Sequence, residues 1–154
     1  MADDTTADMR TEISAATGNA VTSLPVQHLF TMHALLSPPV LVPNAPSGTR
    51  VLITVTGGTV RGERVNGELL GGGDWVTMRA NGVGKLDVRL TMRTDDDAVI
   101  YMEYTGLIGG DRIARVAPLF QTGDERYAWL NDIQGIALGS PAPGEVTYEV
   151  YALG

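Results

Sequence analysis

The chain has no cysteine and a single lysine, Lys85. Without cysteine there is no disulfide framework, no thiol nucleophile and no thiolate metal site. That composition is compatible with the cytoplasm, which is the compartment expected. Apolar stretches are broken by Thr, Gly or a charge well before about 18 residues, so no transmembrane helix is predicted. No basic region followed by an apolar run opens the chain, so no secretory signal is read there. Positive charge is scarce as well: 11 Lys and Arg stand against 18 Asp and Glu, for a net charge of −7. An acidic chain without a Lys/Arg cluster interleaved with aromatics is repelled by phosphate backbones and by anionic lipid, so neither nucleic acid nor membrane is an expected partner.

Several chemical motifs are missing too. Gly71-Gly72-Gly73 is not followed by Gly-Lys-Ser/Thr or a helix start, so it is no phosphate loop. His28 and His33 are even and odd members of one expected strand and would face opposite ways, so they cannot share a metal ion. Asp95-Asp96-Asp97 lacks the glycine and distal glutamate of a calcium loop and reads as a solvated hairpin tip. No serine lies in a nucleophile-elbow setting. No repeat of solenoid or propeller period stands out. Neither a metal nor a cofactor is expected.

What is present is enough for one domain: 154 residues, 44% of them apolar. Residues 1–25 read as a flexible N-terminal arm, rich in Ala, Thr and Asp, with a marginal helix over 9–16. From 26 to 154 the punctuation is that of an all-β protein. Of 19 glycines, 18 fall after residue 40 and separate segments rich in Val, Ile, Leu, Thr and Tyr. Strands are predicted near 27–36, 50–57, 58–70 (in one or two pieces), 74–80, 84–94, 97–106, 112–121, 126–131, 133–139 and 145–153. Pro38-Pro39, Pro43, Asn44 and Pro46 make the first long connection. Period-two alternation is clearest in 84–94, where Leu86, Val88, Leu90 and Met92 share one face and Asp87, Arg89 and Thr91 the other. It recurs with Ile100, Met102 and Tyr104, and again with Val146, Tyr148 and Val150. Roughly eight to ten strands at this spacing suggest a β-sandwich or a β-barrel.

The blocks Gly57-Gly58-Thr59, Gly72-Gly73-Asp74-Trp75 and Leu86-Asp87-Val88-Arg89 come in an order that identifies a family in combination. Thr94-Asp95-Asp96, Arg115-Val116-Ala117-Pro118-Leu119-Phe120 and Tyr127-Ala128-Trp129-Leu130-Asn131 continue it. Together they resemble domain of unknown function 3237, also called uncharacterised protein family 0311, over well more than half of the chain. The resemblance implies a calycin-like or allene-oxide-cyclase-like antiparallel barrel, often paired as a homodimer, with no generally assigned activity. Asp97 stands where the family commonly has Gly, the stretch before Trp75 is shortened, and Leu107–Ile113 form a shorter connection than is common. A shortened loop could open the barrel mouth.

A barrel of about eight strands can enclose one small organic molecule. Candidate catalytic residues are Asp87, Arg89 and Tyr101. Facing inward, Asp87 could act as base, Arg89 could hold a carboxylate or enolate oxygen, and Tyr101 could be an acid or oxyanion donor. Facing outward, the first two would be an ordinary surface pair and the Tyr an ordinary packed ring. Asp74, Trp75, Arg115, Tyr127, Trp129 and Asn131 are candidate substrate-binding residues. Each has a plainer alternative, as a turn cap, a core aromatic or a surface ion pair. The function expected is a cofactor-independent isomerase, cyclase or lyase moving a proton beside a carbonyl. The alternative is a non-catalytic carrier or sensor with the same pocket.

Overall fold

The computed structural model describes residues 20–154; the expected 9–16 helix lies outside the described residues. Ten strands follow in chain order: β1 (Val26–Leu36), β2 (Val40–Ala45), β3 (Gly48–Arg61), β4 (Gly67–Met78), β5 (Gly84–Thr94), β6 (Val99–Ile108), β7 (Ala114–Val116), β8 (Leu119–Gln121), β9 (Gly135–Ala142) and β10 (Glu145–Leu153). All pairings are antiparallel. The ring runs β1-β10-β9-β7-β6-β5-β4-β3 and returns to β1, which closes an eight-stranded barrel. β2 adds to the free part of β3, and β8 pairs with β6 beside β7. Closure leaves every barrel strand paired on both sides, which removes open edges from the ring.

The alternation read in the sequence becomes the inside and outside of the wall. Leu86, Val88, Leu90 and Met92 point inward and are buried, as are Ile100, Met102 and Tyr104 on β6 and Tyr148 and Val150 on β10. Several expected segments are corrected. The proline-rich connection contains β2, whose residues mostly stay exposed. The segment predicted over 58–70 is the end of β3, a turn, and the start of β4. Gly71-Gly72-Gly73 lie inside β4 and do not interrupt it. Pro118, which has no N–H for a ladder, separates β7 from β8. The 126–131 strand is instead a 3-10 helix, Glu125–Asp132, whose first turn is capped by Asp124 accepting from the Arg126 N–H. Local capping chemistry prevailed there over aromatic content.

The two ends of the barrel differ. At one end Val65, from the β3–β4 turn, and Leu130, from the 3-10 helix, are fully buried. With Phe30, Met92, Ile100 and Phe120 they plug the interior. At the other end the inward side chains are mostly smaller aliphatics, and a hollow of about 220 Å³ remains. Among the described residues no helix is long and apolar enough to cross a membrane.

Candidate active site

One irregularity decides what faces the hollow. β4 and β5 pair with a bulge between Leu69 and Gly71. One extra residue in β4 reverses its phase, because successive side chains alternate between faces. Before the bulge Leu69, an odd position, points inward. After it Asp74, Val76 and Met78, all even, line the hollow. Gly72 makes the reversal feasible: its φ is 155° and a Cβ there would collide with the carbonyl of Arg89.

Among the described residues sixteen line the cup, and of these only Asp74, Tyr104 and Tyr148 carry polar side-chain groups. Val51, Ile53 and Val55 of β3, Leu86 and Val88 of β5, and Ala34 and Leu36 of β1 make most of the remaining wall. Asp74 lies opposite Ile53 on one side and Val88 on the other. Its Oδ1 accepts a hydrogen bond from the Asp87 N–H at 3.1 Å. Burial raises its pKa from 3.8 to about 6; the hydrogen bond from Asp87 works against this, and the negative charge of Asp87 adds to it. The rings of Tyr104 and Tyr148 pack edge to face, 5.3 Å between centroids. Burial, first of all, and the Asp74 charge among the further causes push both hydroxyls above the usual tyrosine range. They are therefore neutral O–H groups around neutral pH. The Tyr148 ring has room because its cross-strand partner is Gly139, where a Cβ would strike the ring.

Of the residues singled out from the sequence, Asp74 alone lines the cup. Asp87 and Arg89 lie on the outer wall of β5, because their neighbours Leu86, Val88 and Leu90 take the inner face. Expected convergence of this pair on the interior is thus corrected. Tyr101 is also outside, donating to Glu103 Oε2 at 2.9 Å. Trp75 is 39% exposed on the outer wall, with the Arg89 guanidinium 5.7 Å from its ring centroid. Arg115 pairs with Asp111 at 2.7 Å near the surface. Tyr127 is buried at the plugged end, where its hydroxyl donates to Asp96 Oδ1 at 2.8 Å. Trp129 lies under Arg64, 3.7 Å from ring centroid to guanidinium. Asn131 clasps the backbone of Thr122 through both amide atoms. His28 and His33 do not face opposite ways: a bulge between His28 and Phe30 brings both to the outer wall, beside Glu149 and Glu145. Among the described residues no group of three or more His, Asp or Glu is placed to hold a metal ion.

Tyr104 and Tyr148 were missed as site residues, although each shared a face with aliphatic neighbours in the alternation. That was the available signal for an inward tyrosine.

The family model for the protein of unknown function DUF3237 matches residues 24–153. The chain belongs to this family. A DUF3237 relative from Rhodopseudomonas palustris is 30% identical over 138 residues, covering 78% of this chain and 89% of the relative. Its crystal structure superimposes with a TM-score of 0.81 at 26% identity, over 86% of this chain and 99% of that one. The hydroalkoxylation enzyme phnH of Penicillium herquei is 29% identical over 126 residues, 82% of this chain and 80% of that protein. A crystal structure of an enzyme from Penicillium herquei superimposes with a TM-score of 0.71 at 25% identity, over 90% of this chain and all of that one.

Proposed function

We propose that this DUF3237 protein is an acid–base enzyme holding one small organic molecule in the barrel cup. Asp74 moves the proton, and Tyr104 and Tyr148 serve as hydroxyl donors to an oxygen of the substrate. The observation that carries this reading is a lone carboxyl, raised to about 6, set in a hollow whose other lining groups are aliphatic save for two tyrosines. A group titrating there can both give and take a proton near neutral pH, which is the requirement for general acid–base catalysis.

The hydroalkoxylation relative suggests one form this chemistry takes. Hydroalkoxylation adds an O–H across a carbon–carbon double bond. Protonated Asp74 would give its proton to one alkene carbon while the hydroxyl oxygen bonds to the other. The carboxylate then takes the proton that the hydroxyl loses, and the enzyme returns to its starting state. The substrate is isomerised, and the step consumes no co-reactant.

The test is a panel of alkenyl phenols, beginning with 2-allylphenol, followed by chromatography for the isomeric cyclic ether. Turnover by the native protein should fall about a hundredfold or more in Asp74→Asn, within the usual range for loss of a general acid. Tyr104→Phe and Tyr148→Phe should each cost about tenfold or more, as loss of an oxyanion donor does. Turnover that survives Asp74→Asn would defeat the proposal. The aliphatic wall also favours a second reading, a carrier of apolar ligands. In that case Asp74→Asn keeps ligand binding and the native protein turns nothing over.

A further inference from the structure

We infer that the cup selects an uncharged, mainly hydrocarbon molecule bearing a hydrogen-bond-accepting oxygen, and rejects carboxylates, phosphates and ammonium ions of the same size. This rests on the reading of Asp74 as the polar centre of the site, and extends it to the class of compound bound.

The wall supplies the argument. Among the described residues no Lys, Arg or His lines the hollow, so an anion entering it finds no countercharge there. Burying an unpaired anion is strongly unfavourable. On the adjoining strand β5, Arg89 lies on the far side of the wall. Asp74 itself, when ionised, repels an anion further. A cation would meet a carboxylate and at most two tyrosine hydroxyls, and the surrounding Val51, Ile53, Val55, Val76, Leu86 and Val88 offer nothing further to its N–H groups. A buried ion pair must also desolvate two charges at once. A neutral acceptor avoids both costs: protonated Asp74 donates to it, and the aliphatic wall covers the rest.

Every element around the carboxyl fits this preference. β1 and β3 present only aliphatic groups to it. β6 and β10 present Tyr104 and Tyr148, both neutral. β5 presents the Asp87 N–H, with the Asp87 charge outside the wall. Ligand entry displaces water from around Asp74, which favours its protonated form still more. Binding of a neutral acceptor therefore takes up a proton, and affinity declines as the carboxyl ionises.

Three near-isosteric probes test the inference: 2-acetylnaphthalene, 2-naphthoate and 2-naphthylmethylammonium, titrated calorimetrically at about pH 5 and about pH 8. The ketone should bind at the lower pH and weaken about tenfold at the higher one, while both ions bind at least about tenfold more weakly than the ketone at the lower pH. Asp74→Asn keeps the Oδ1 acceptor for the Asp87 N–H and an amide donor for the ketone, so its affinity should be the same at both pH values. With the unmodified protein, titration near neutral pH in two buffers of different ionisation enthalpy should register net proton uptake. An ion that binds as tightly as the ketone, ketone affinity that rises with pH, proton release on binding, or no binding by any probe would each overturn the inference. Ketone binding without any turnover of alkenyl phenols would remove the catalytic reading and leave this one standing. Turnover together with tight naphthoate binding would do the reverse.

Discussion

The backbone N–H of Asp87 reaches Oδ1 of Asp74 at 3.1 Å, while the Asp87 side chain stays on the opposite side of the barrel wall. Paired strands normally satisfy such an N–H with a backbone carbonyl. Here the β4–β5 pairing passes from Asp74↔Val88 to Thr77↔Lys85 with no paired residues between. A side-chain carboxylate takes the acceptor's place in that opening. The inner carboxyl is thereby fixed in direction by one outer residue; burial is what chiefly raises its pKa, that residue's N–H lowers it, and that residue's charge adds a smaller upward push.

Asp87→Asn tests that link. It keeps the N–H and removes the charge, so the pKa of Asp74 should shift down from about 6 and no other element of the cup should change. The pH profile of turnover or ligand binding should move to lower pH, with its maximum altered by no more than about threefold. Arg89→Ala, on the same outer wall, should leave the maximum within about threefold as well. A profile from Asp87→Asn that moves to higher pH would contradict the charge argument.

Stability should carry the same signature. Asp74 has a pKa of about 6 in the folded chain against an ordinary 3.8, so the folded form holds its proton more tightly. This contribution is complete below about pH 4, is lost as pH rises through about 6, and totals about 2–3 kcal/mol. Asp74→Asn never ionises there. Chemical denaturation should find the variant about 1–3 kcal/mol more stable than the native chain at pH 8. The two should be nearly equal near pH 4. A variant that is less stable at high pH would mean that ionised Asp74 is stabilised by a partner.

The alternation in β5, β6 and β10 was enough to assign the inner aliphatic faces correctly, but a sandwich would alternate in the same way, and the barrel came from the family resemblance. The alternation also contained the answer for Asp87 and Arg89: a face shared with Lys85 and Arg93 belongs to solvent when the other holds Leu86, Val88, Leu90 and Met92. Asp74 was harder. Three glycines before it carry no side chains, so the phase of β4 cannot be followed through them, and the bulge that reverses it leaves no apolar signature. Trp75 illustrates the consequence, since an aromatic that reads as a pocket wall sits outside. Asp124 explains the misread 3-10 helix, for its cap acts within one turn and leaves the aromatic pattern unchanged.

The bulge itself is open to test at Gly72. An alanine there would clash with the Arg89 carbonyl and come within 2.6 Å of the Leu90 Cα, at a φ of 155° that side chains rarely adopt. Gly72→Ala should destabilise the barrel by about 3 kcal/mol or more, read by thermal or chemical denaturation. Gly57, at the register irregularity between β1 and β3, has open space around its missing Cβ and no positive φ. Gly57→Ala should stay within about 0.5 kcal/mol of the native chain. Equal tolerance at both positions would mean that the phase reversal of β4 does not depend on Gly72.

Tyr127 separates structural from functional parts of the family signature. Its hydroxyl donates to Asp96 Oδ1 at 2.8 Å, and Thr94 Oγ1 donates to the same oxygen at 2.6 Å. The Ala98 N–H in turn donates to Thr94 Oγ1 at 2.8 Å. This chain of bonds ties the 3-10 helix to the β5–β6 hairpin and holds Leu130 in the plugged end. None of these residues lines the cup. Tyr127→Phe should therefore cost about 1–2 kcal/mol of stability, the loss of one hydrogen bond to a charged group. Its ligand affinity should match the native chain within about twofold at a temperature where both are folded. A large loss of affinity with unchanged stability would move Tyr127 from the plug to the site, and the hollow lined by Asp74 would no longer account for binding.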